Sequence, residues 1–534
     1  MNNYASEAFS TDEEDVLRRY FTNLDQPVFA LVNLPEVVKG ALFARYSRTH
    51  KSLRRLFLDE FVDDLDISGD HSIDATVGLA KAEELYQRVF VEYGDDSVAQ
   101  LGGVHLACEQ SSNLLTKILE RGRLMSYLEQ STRYLSYDRR LDGRYRYHRD
   151  PAVLASNLGT RYVGDIDRIF DRYAQLVPEM QEFYKLATPQ SNEVGDLAYR
   201  QTIRAKSFDA VRGLLPAASL SNVGIYGTGQ GYEALLLRMR SHPLPEARAY
   251  SDMMLMELRK VIPSFLRRVD IEDRGIAWSR YMAENREAMA SVSNELLKDL
   301  EPTTVDEVSL IDWDPDGERK MLAAMLYSQS RLGEEQLISV VDRMSNDEKL
   351  TLAKTYAGER TNRRHRPSRA LERLGYRFDV LSDYGGFRDM QRHRLLTIEW
   401  QSLTPYHGYE VPEDIEACGL TDKYVTALER SKDLYEAMIE PFPEQASYAV
   451  SMAYRIRYVM QFNAREALHM LELRSQPQGH PNYRRVAQAM YRQIGEVAGH
   501  NIVAGMFNFM DLTAAEEGRL ESERSLEDRR ENKS

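Results

Sequence analysis

Cysteine is almost missing: Cys108 and Cys418 are the two thiols in 534 residues. No disulfide framework can be built from them, and a reducing, cytoplasmic location is expected. Cys108 stands among apolar neighbours and Cys418 in an acidic turn. Neither has a basic neighbour in sequence that would favour a thiolate, so no cysteine nucleophile is expected. No apolar run approaches the roughly 18 residues that a membrane-spanning helix needs. The stretch from Met1 to Asp15 is polar and acidic, without the basic-then-apolar pattern of a secretory signal. Positive charge is in deficit too, with 69 Lys and Arg against 83 Asp and Glu, a net charge of −14. A surface of that sign repels nucleic-acid phosphates and anionic membranes, so neither is an expected partner; it still leaves room for a local basic site.

What is present is a pattern stated twice. Tyr46-Ser47 has an echo in Tyr327-Ser328. Arg121-Gly122-Arg123 has one in Arg392-His393-Arg394. Leu236-Leu237-Arg238-Met239-Arg240-Ser241 has one in Leu471-Glu472-Leu473-Arg474-Ser475. Three landmarks in the same order predict two diverged copies of one fold. The apolar fraction of 43% is enough for a core in each. The expected organisation is a polar arm over residues 1–26, a first repeat over 27–300, a second over 301–511 and a charged tail over 512–534. Pro27 to Val32 has β character, and Val308 to Ile311 is its counterpart. Residues 97–135 show helical spacing of apolar positions, with Gly102-Gly103 admitting some strand. Residues 160–300 read as mostly helical, broken by Pro216 and a glycine-rich loop from Gly224 to Gly231. Residues 424–475 and 484–508 read as helical. The fold class is therefore α+β and helix-rich, with a modest sheet in each repeat.

Chemistry concentrates in two stretches. Arg121, Arg123, Ser126, Glu129, Ser131 and Arg133 place three guanidinium groups, a carboxylate and two hydroxyls within 13 residues. Arginine presents a planar fork matched to phosphate, and a carboxylate accepts from sugar hydroxyls or ring N–H groups. The set suits a nucleotide monophosphate, although a charge run is more often the solvated face of a helix. In the second stretch, helical spacing brings Arg465 and His469 to one face with Arg474 about a turn and a half on, and Asn463 precedes them. Glu466-x-x-His469 also resembles half of a di-iron carboxylate site, but no second such motif is present, so no metal is expected. The run from Gly224 to Gly231 lacks the Gly-Lys-Ser/Thr ending of a phosphate loop.

The spacing of the first stretch resembles the signature of the flavin-dependent thymidylate synthases, the ThyX family: Arg-His-Arg, two residues, Ser, one residue, Asn-Glu, one residue, Ser, one residue, Arg. Arg121, Arg123, Ser126, Glu129, Ser131 and Arg133 fall in register. Gly122 stands where the family has His, and Leu128 where it has Asn. The second copy keeps Arg392, His393, Arg394 and Ser402 but lacks the Asn-Glu and the last arginine. Downstream the losses reverse. The first copy keeps a turn arginine, Arg212, and then departs from the family helix at Gly229, Gly231 and Leu235, keeping Arg240. The second has Ser447 at the turn but matches the helix from Asn463 to Arg474. Gly94-Asp95-Asp96-Ser97 weakly resembles the family's Gly-His-x-Ser step.

The resemblance implies two ThyX-like repeats joined as a pseudo-dimer, with two chains pairing as a homodimer. It implies a composite site between the repeats at which deoxyuridylate, or a related pyrimidine nucleotide, is methylated at C5. FAD is the implied cofactor, with NADPH and methylenetetrahydrofolate as co-substrates. Arg474 carries over as the catalytic arginine that reaches the uracil ring. Arg121, Glu129, Gln130, Ser131, Thr132, Arg133 and Arg212 carry over as substrate contacts. Ser47, Arg123, Arg392, His393, Arg394, Asn463, Arg465 and His469 carry over as cofactor contacts. Two alternatives stay open at this level: a catalytically degenerate nucleotide- or flavin-binding protein, and a ThyX-like enzyme acting on another pyrimidine nucleotide.

Overall fold

Alternation of apolar and polar residues decides where the sheets form. From Arg455 to Asn463, Ile456, Tyr458, Met460 and Phe462 are buried, while Arg455, Arg457 and Gln461 are not. That period of two is a strand with one face on a core. The structure is a computed structural model that describes residues 4, 7–34, 36–62, 100, 102–133, 135–140, 143–190, 196–303 and 305–513. Gly94 to Ser97 and the tail beyond residue 513 lie outside the described residues. Eight strands are described: β1 (Val28–Leu31), β2 (Gly103–Ser112), β3 (Ser126–Glu129), β4 (Leu220–Thr228), β5 (Val308–Trp313), β6 (Gly375–Asp383), β7 (Leu396–Trp400) and β8 (Arg455–Asn463). They form two antiparallel four-stranded sheets with the orders β1-β2-β4-β3 and β5-β6-β8-β7. Position for position, the two orders are the same.

The helices repeat with the strands. β1 leads to the Glu36–Tyr46 helix and β5 to Gly317–Tyr327, each ending on the tyrosine of its Tyr-Ser pair. β2 leads to Asn113–Leu119 and β6 to Tyr384–Met390, capped by Ser112 and Asp383 side chains that accept from Leu115 and Gly386 N–H groups. β4 leads to Gly229–Arg240 and β8 to Ala464–Arg474, capped by Thr228 and Asn463. The fold is helix-rich α+β with a sheet in each half, as expected. The N-terminal arm contains a helix, Thr11–Leu17, closed by a Ser10/Glu13 capping box. The helix Ala277–Leu297 has no buried residue.

Three sequence expectations give way. Gly224 to Gly231 is not a loop: it supplies the end of β4, which pairs with both β2 and β3, and the first turn of the next helix. Its glycines are there for room, since a Cβ on Gly224 would lie 2.8 Å from the Phe43 ring. The run after Arg123, read as helical, is strand β3. The helical reading of 424–475 also missed β8, whose two arginines disguise the alternation.

The described chain divides into two compact units. One comprises Met1–Ala174, Leu215–Pro302 and Glu429–Val450. The other comprises Gln175–Leu214, Thr303–Leu428 and Ser451–Ser534. Each unit therefore holds a segment that comes, in sequence, from the other half. In the first unit, Tyr448 donates to Glu246 at 2.6 Å and Arg430 pairs with Asp165 at 2.9 Å. In the second, Lys423 pairs with Glu179 at 2.8 Å and the Ala453 N–H donates to the Gly213 carbonyl at 2.8 Å. Arg212 consequently belongs to the unit built around the second sheet.

Candidate functional site

The second unit gathers half of the residues singled out from sequence. Asn463 caps the Ala464–Arg474 helix by accepting from the Glu466 N–H at 2.9 Å, which fixes where Glu466, His469 and Arg474 emerge. The turn after the Tyr384–Met390 helix delivers Arg392, His393 and Arg394 to the same place. Arg474 Nε donates to His393 Nε2 at 3.0 Å. That bond leaves the proton of a neutral His393 on Nδ1, which lies 3.3 Å from Glu466 Oε1 and donates to it. Burial, with the charge of Arg474 added, holds His393 well below the ordinary histidine range. Burial pushes the Glu466 carboxyl up to about 7. His469 is lowered to about 4 by burial and by Arg366, whose Nη2 lies 2.9 Å from its Nδ1 and 3.2 Å from its Nε2.

Three guanidinium groups converge on one carboxylate beside this chain of contacts. Arg212 Nη1 is 3.7 Å from Asp389, Arg392 Nη1 is 3.7 Å and Arg474 Nη1 is 3.8 Å. Arg212 is 3% exposed, and its Nε and Nη2 have no hydrogen-bond acceptor. It lines a small cavity with Asp383, Glu410, Tyr424, His480 and Asn482. Buried guanidinium N–H groups without acceptors are expensive, so this corner is set up for a polar ligand or water.

Among the described residues, His393, Glu466 and His469 bring ligand-type atoms within 4.8 Å of one another. The surroundings do not suit a dication. Arg474 and Arg366 sit on imidazole nitrogens that a metal would need, and Arg363 and Arg474 both add positive field at His469. The arrangement is fitted to an anion and to proton-poised hydrogen bonding. Arg465 plays a supporting part: it donates to the Pro367 carbonyl at 2.9 Å and pairs with Glu372 at 3.4 Å. Arg394 is exposed in the same turn.

The first unit holds the other set. Arg121 and Arg123 are exposed in the turn before β3. Glu129, at the end of β3, is 4% exposed and pairs with Lys117 at 3.1 Å; Lys117 also pairs with Glu120 at 2.5 Å. Gln130 is fully buried and engaged at both ends, donating to the Thr49 carbonyl at 2.7 Å and accepting from Arg146 at 3.2 Å. Ser131 Oγ accepts from the Arg133 N–H at 3.3 Å, and the Ser131 N–H reaches the Ser47 carbonyl at 3.4 Å. Thr132 and Arg133 are buried. Arg240, the helix arginine of this copy, donates to Asp252 at 3.2 Å and to the Val269 carbonyl at 3.3 Å. Burial pushes the Cys108 thiol far up and raises Cys418.

Sequence reasoning passed over Asp389, Arg363 and Arg366. The last two had a signal: seven arginines between Arg360 and Arg377 in a chain that is acidic overall. Asp389 had none, because a single aspartate three residues before a basic triplet shows its role only when three arginines surround it.

The raised Glu466 carboxyl makes a stability prediction. Its folded value of about 7 lies above its ordinary 4.5, so the fold favours the protonated form. The stability it contributes is full below about pH 4.5 and is lost as pH rises through about 7. Glu466→Gln keeps the acceptor oxygen. It should match the parent at pH 5 and exceed it at pH 8 by on the order of 1–3 kcal/mol, read from urea midpoints. A glutamine variant weaker at both pH values would show that the carboxylate itself holds the site together.

No helix among the described residues is long and apolar enough to cross a membrane. Comparison with known proteins adds the lineage. Over 522 residues the chain is 38% identical to a UPF0159 protein of Chlamydia pneumoniae, covering 97% of this chain and 98% of that one. It is 38% identical over 519 residues to a UPF0159 protein of Chlamydia muridarum, covering 96% and 98%. Identity to the UPF0159 protein Ta1429 of Thermoplasma acidophilum is 30% over 512 residues, covering 91% and 97%. The family model described as "Thymidylate synthase complementing protein" matches twice, over residues 43–264 and 309–499. Two matches, two sheets of one topology and landmarks repeated in one order agree, and the chain belongs to the thymidylate synthase complementing protein (Thy1, or ThyX) family as a diverged tandem duplication.

Proposed function

We propose that this protein is a flavin-dependent thymidylate-synthase-like enzyme that methylates deoxyuridylate at C5, taking the one-carbon unit from methylenetetrahydrofolate and reducing equivalents from NADPH. The observation that carries this reading is the convergence of Arg212, Arg392 and Arg474 on Asp389, with two buried Arg212 N–H groups still without acceptors. An arginine fan of this kind binds an anion and can stabilise charge that grows on a pyrimidine ring. Uracil C5 becomes nucleophilic when negative charge on the ring is stabilised, and a fixed guanidinium does this without taking or giving a proton. Arg474 has that role, held in orientation by His393 and, through it, Glu466. Arg121, Glu129, Ser131 and Arg133 serve the nucleotide. Gln130, locked between Thr49 and Arg146, serves by shaping the backbone that carries them.

FAD, when bound, supplies the hydride chemistry. The cations around His469 fit its phosphates: Arg363 and Arg366 on their basic loop, and Arg392 and Arg394 at their turn. Asn463 and Arg465 position this set, one by capping the helix and the other by tethering the loop.

A second reading, a nucleotide-binding protein without turnover, draws on Gly122 and Leu128, which depart from the family signature, and on the engagement of Glu129 by Lys117. Growth separates the two. The gene should restore growth of a thymidine-requiring bacterial strain, the purified chain should carry a flavin absorption spectrum, and Arg133→Ala should abolish the growth. Colourless protein that binds deoxyuridylate and never supports growth would sink the enzymatic reading.

A further inference from the structure

One helix is anchored to the body of the protein and yet uncovered. Ala277–Leu297 runs for 21 residues and buries none of them. It lies in the stretch between the two family matches, which end at residue 264 and resume at 309, so neither repeat accounts for it. Polar contacts hold it in place. Ser279 Oγ donates to the Leu237 carbonyl at 3.4 Å, and Arg286 donates to the Ser241 carbonyl and, at 3.5 Å, to Ser241 Oγ. About two turns apart, these tethers share one edge of the helix. A stripe of large apolar side chains follows a different face, roughly 100° round from the tethers at 3.6 residues per turn.

Trp278, Met282, Asn285, Met289, Val292 and Leu296 recur at alternating intervals of four and three residues. That is the seam of a helix that packs along another helix. Trp278, Met289, Val292 and Leu296 are between 48% and 73% exposed, and Tyr281 beside them is 64% exposed. Together these five side chains leave on the order of 500 Å² of apolar surface in water, at the upper end of what a monomer keeps in one patch. Two such stripes laid face to face remove about 1,000 Å², the area at which a specific protein–protein interface becomes stable.

Reversed in direction, the seam is its own complement. Antiparallel pairing about the level of Glu287 sets Trp278 against the partner's Leu296, Met282 against the partner's Val292 and Asn285 against the partner's Met289. A two-fold interface requires self-matching of this kind, and antiparallel helices also bring opposite dipole ends together. Asn285 is the one polar member of the seam, and a single polar residue there disfavours shifted registers. The remaining surface of the helix carries Glu284, Glu287 and Glu295 against Arg280 and Lys298. A helix that lies on an anionic membrane needs a Lys- and Arg-rich polar face instead, so the complement is protein. We infer that Ala277–Leu297 is a docking surface for a second copy of this chain, pairing antiparallel with the same helix of its partner. The inference goes beyond the enzymatic reading and does not depend on it, because assembly is read without flavin, nucleotide or turnover.

The test is sedimentation of the full chain at micromolar concentration, where the parent should show at least twice the mass of one chain. Val292→Glu puts a carboxylate into the seam twice per pair of chains; it should halve the particle mass and weaken association by at least about a hundredfold. Ser291→Glu, which changes a neighbouring position on another face, should leave the mass unchanged. Cross-linking decides the matter if Val292→Glu does not fold. In a Cys418→Ser background, Trp278→Cys and Leu296→Cys combined in one chain should oxidise to a covalent pair of chains, and either substitution alone should not. A parent with the mass of one chain overturns the inference, and binding of that single chain to phosphatidylglycerol vesicles would assign the stripe to a membrane instead. So does a Val292→Glu chain that keeps the parent's mass, or equal loss in Val292→Glu and Ser291→Glu. A covalent pair formed by Trp278→Cys alone overturns the antiparallel arrangement.

Discussion

Arg474→Ala is expected to lower the rate of deoxythymidylate formation by about 10²–10³-fold, the usual loss when one fixed donor to a developing anion is removed. The expectation rests on how firmly this guanidinium is held. Its Nε is committed to His393, one Nη lies 3.8 Å from Asp389, and its carbon is 5.5 Å from the centre of the Tyr483 ring. A group fixed on three sides needs little reorganisation when charge appears, and alanine leaves His393 without its donor as well. Arg474→Lys should recover little, because one ammonium cannot hold His393 and face the ring together. Flavin content should stay near the parent's, which separates a lost catalytic group from a collapsed cofactor site. Arg240→Ala is the matched control. Arg240 is committed to Asp252 and the Val269 carbonyl, and its loss should leave the rate close to the parent's. Equal loss in the two variants would refute the assignment of the active arginine to the second repeat.

The duplication was legible because it is written in features that sequence preserves: a Tyr-Ser pair closing a helix, a basic triplet in a turn, an arginine near a helix end. The strands at β4 and β8 were hidden for opposite reasons. β4 carries Gly224 and Gly227, which look like loop residues but make room for Phe43 and Met125. β8 carries Arg455 and Arg457, whose ion pairs with Glu410 and Asp379 let charge sit on the outer face of a strand. The site was legible in its ingredients and not in its grouping. Arg212 reads from sequence as part of the nucleotide set of the first copy, but its segment belongs to the unit of the second sheet, where it meets Asp389. Periodicity describes a face of one element; it does not report which segment crosses to which unit. Arg240 and Arg474 look equivalent in sequence and differ only in what surrounds them.

The largest effect on stability is expected where the basic loop is tied down. Arg360 and Glu472 form a bidentate pair at 2.7 and 2.6 Å, with side chains 1% and 0% exposed. The same guanidinium donates to the Met506 carbonyl at 2.8 Å and, through Nε, to the His365 carbonyl at 2.7 Å. Breaking the pair from one side leaves a buried charge alone. Arg360→Met and Glu472→Leu should therefore each cost about 3–5 kcal/mol in urea unfolding. The double variant should be less impaired than the sum of the two, because two apolar side chains of similar bulk leave no stranded charge. It should not regain function. The His365 carbonyl loses its donor whenever Arg360 is replaced, so in the double variant the loop bearing Arg363 and Arg366 is no longer tied at its middle, and Arg366 is no longer held on His469. Flavin affinity is accordingly expected to stay low in the double variant while its urea midpoint recovers. If flavin binding recovers along with stability, the pair is only a packing device, and the basic loop does not need this tether to reach the cofactor.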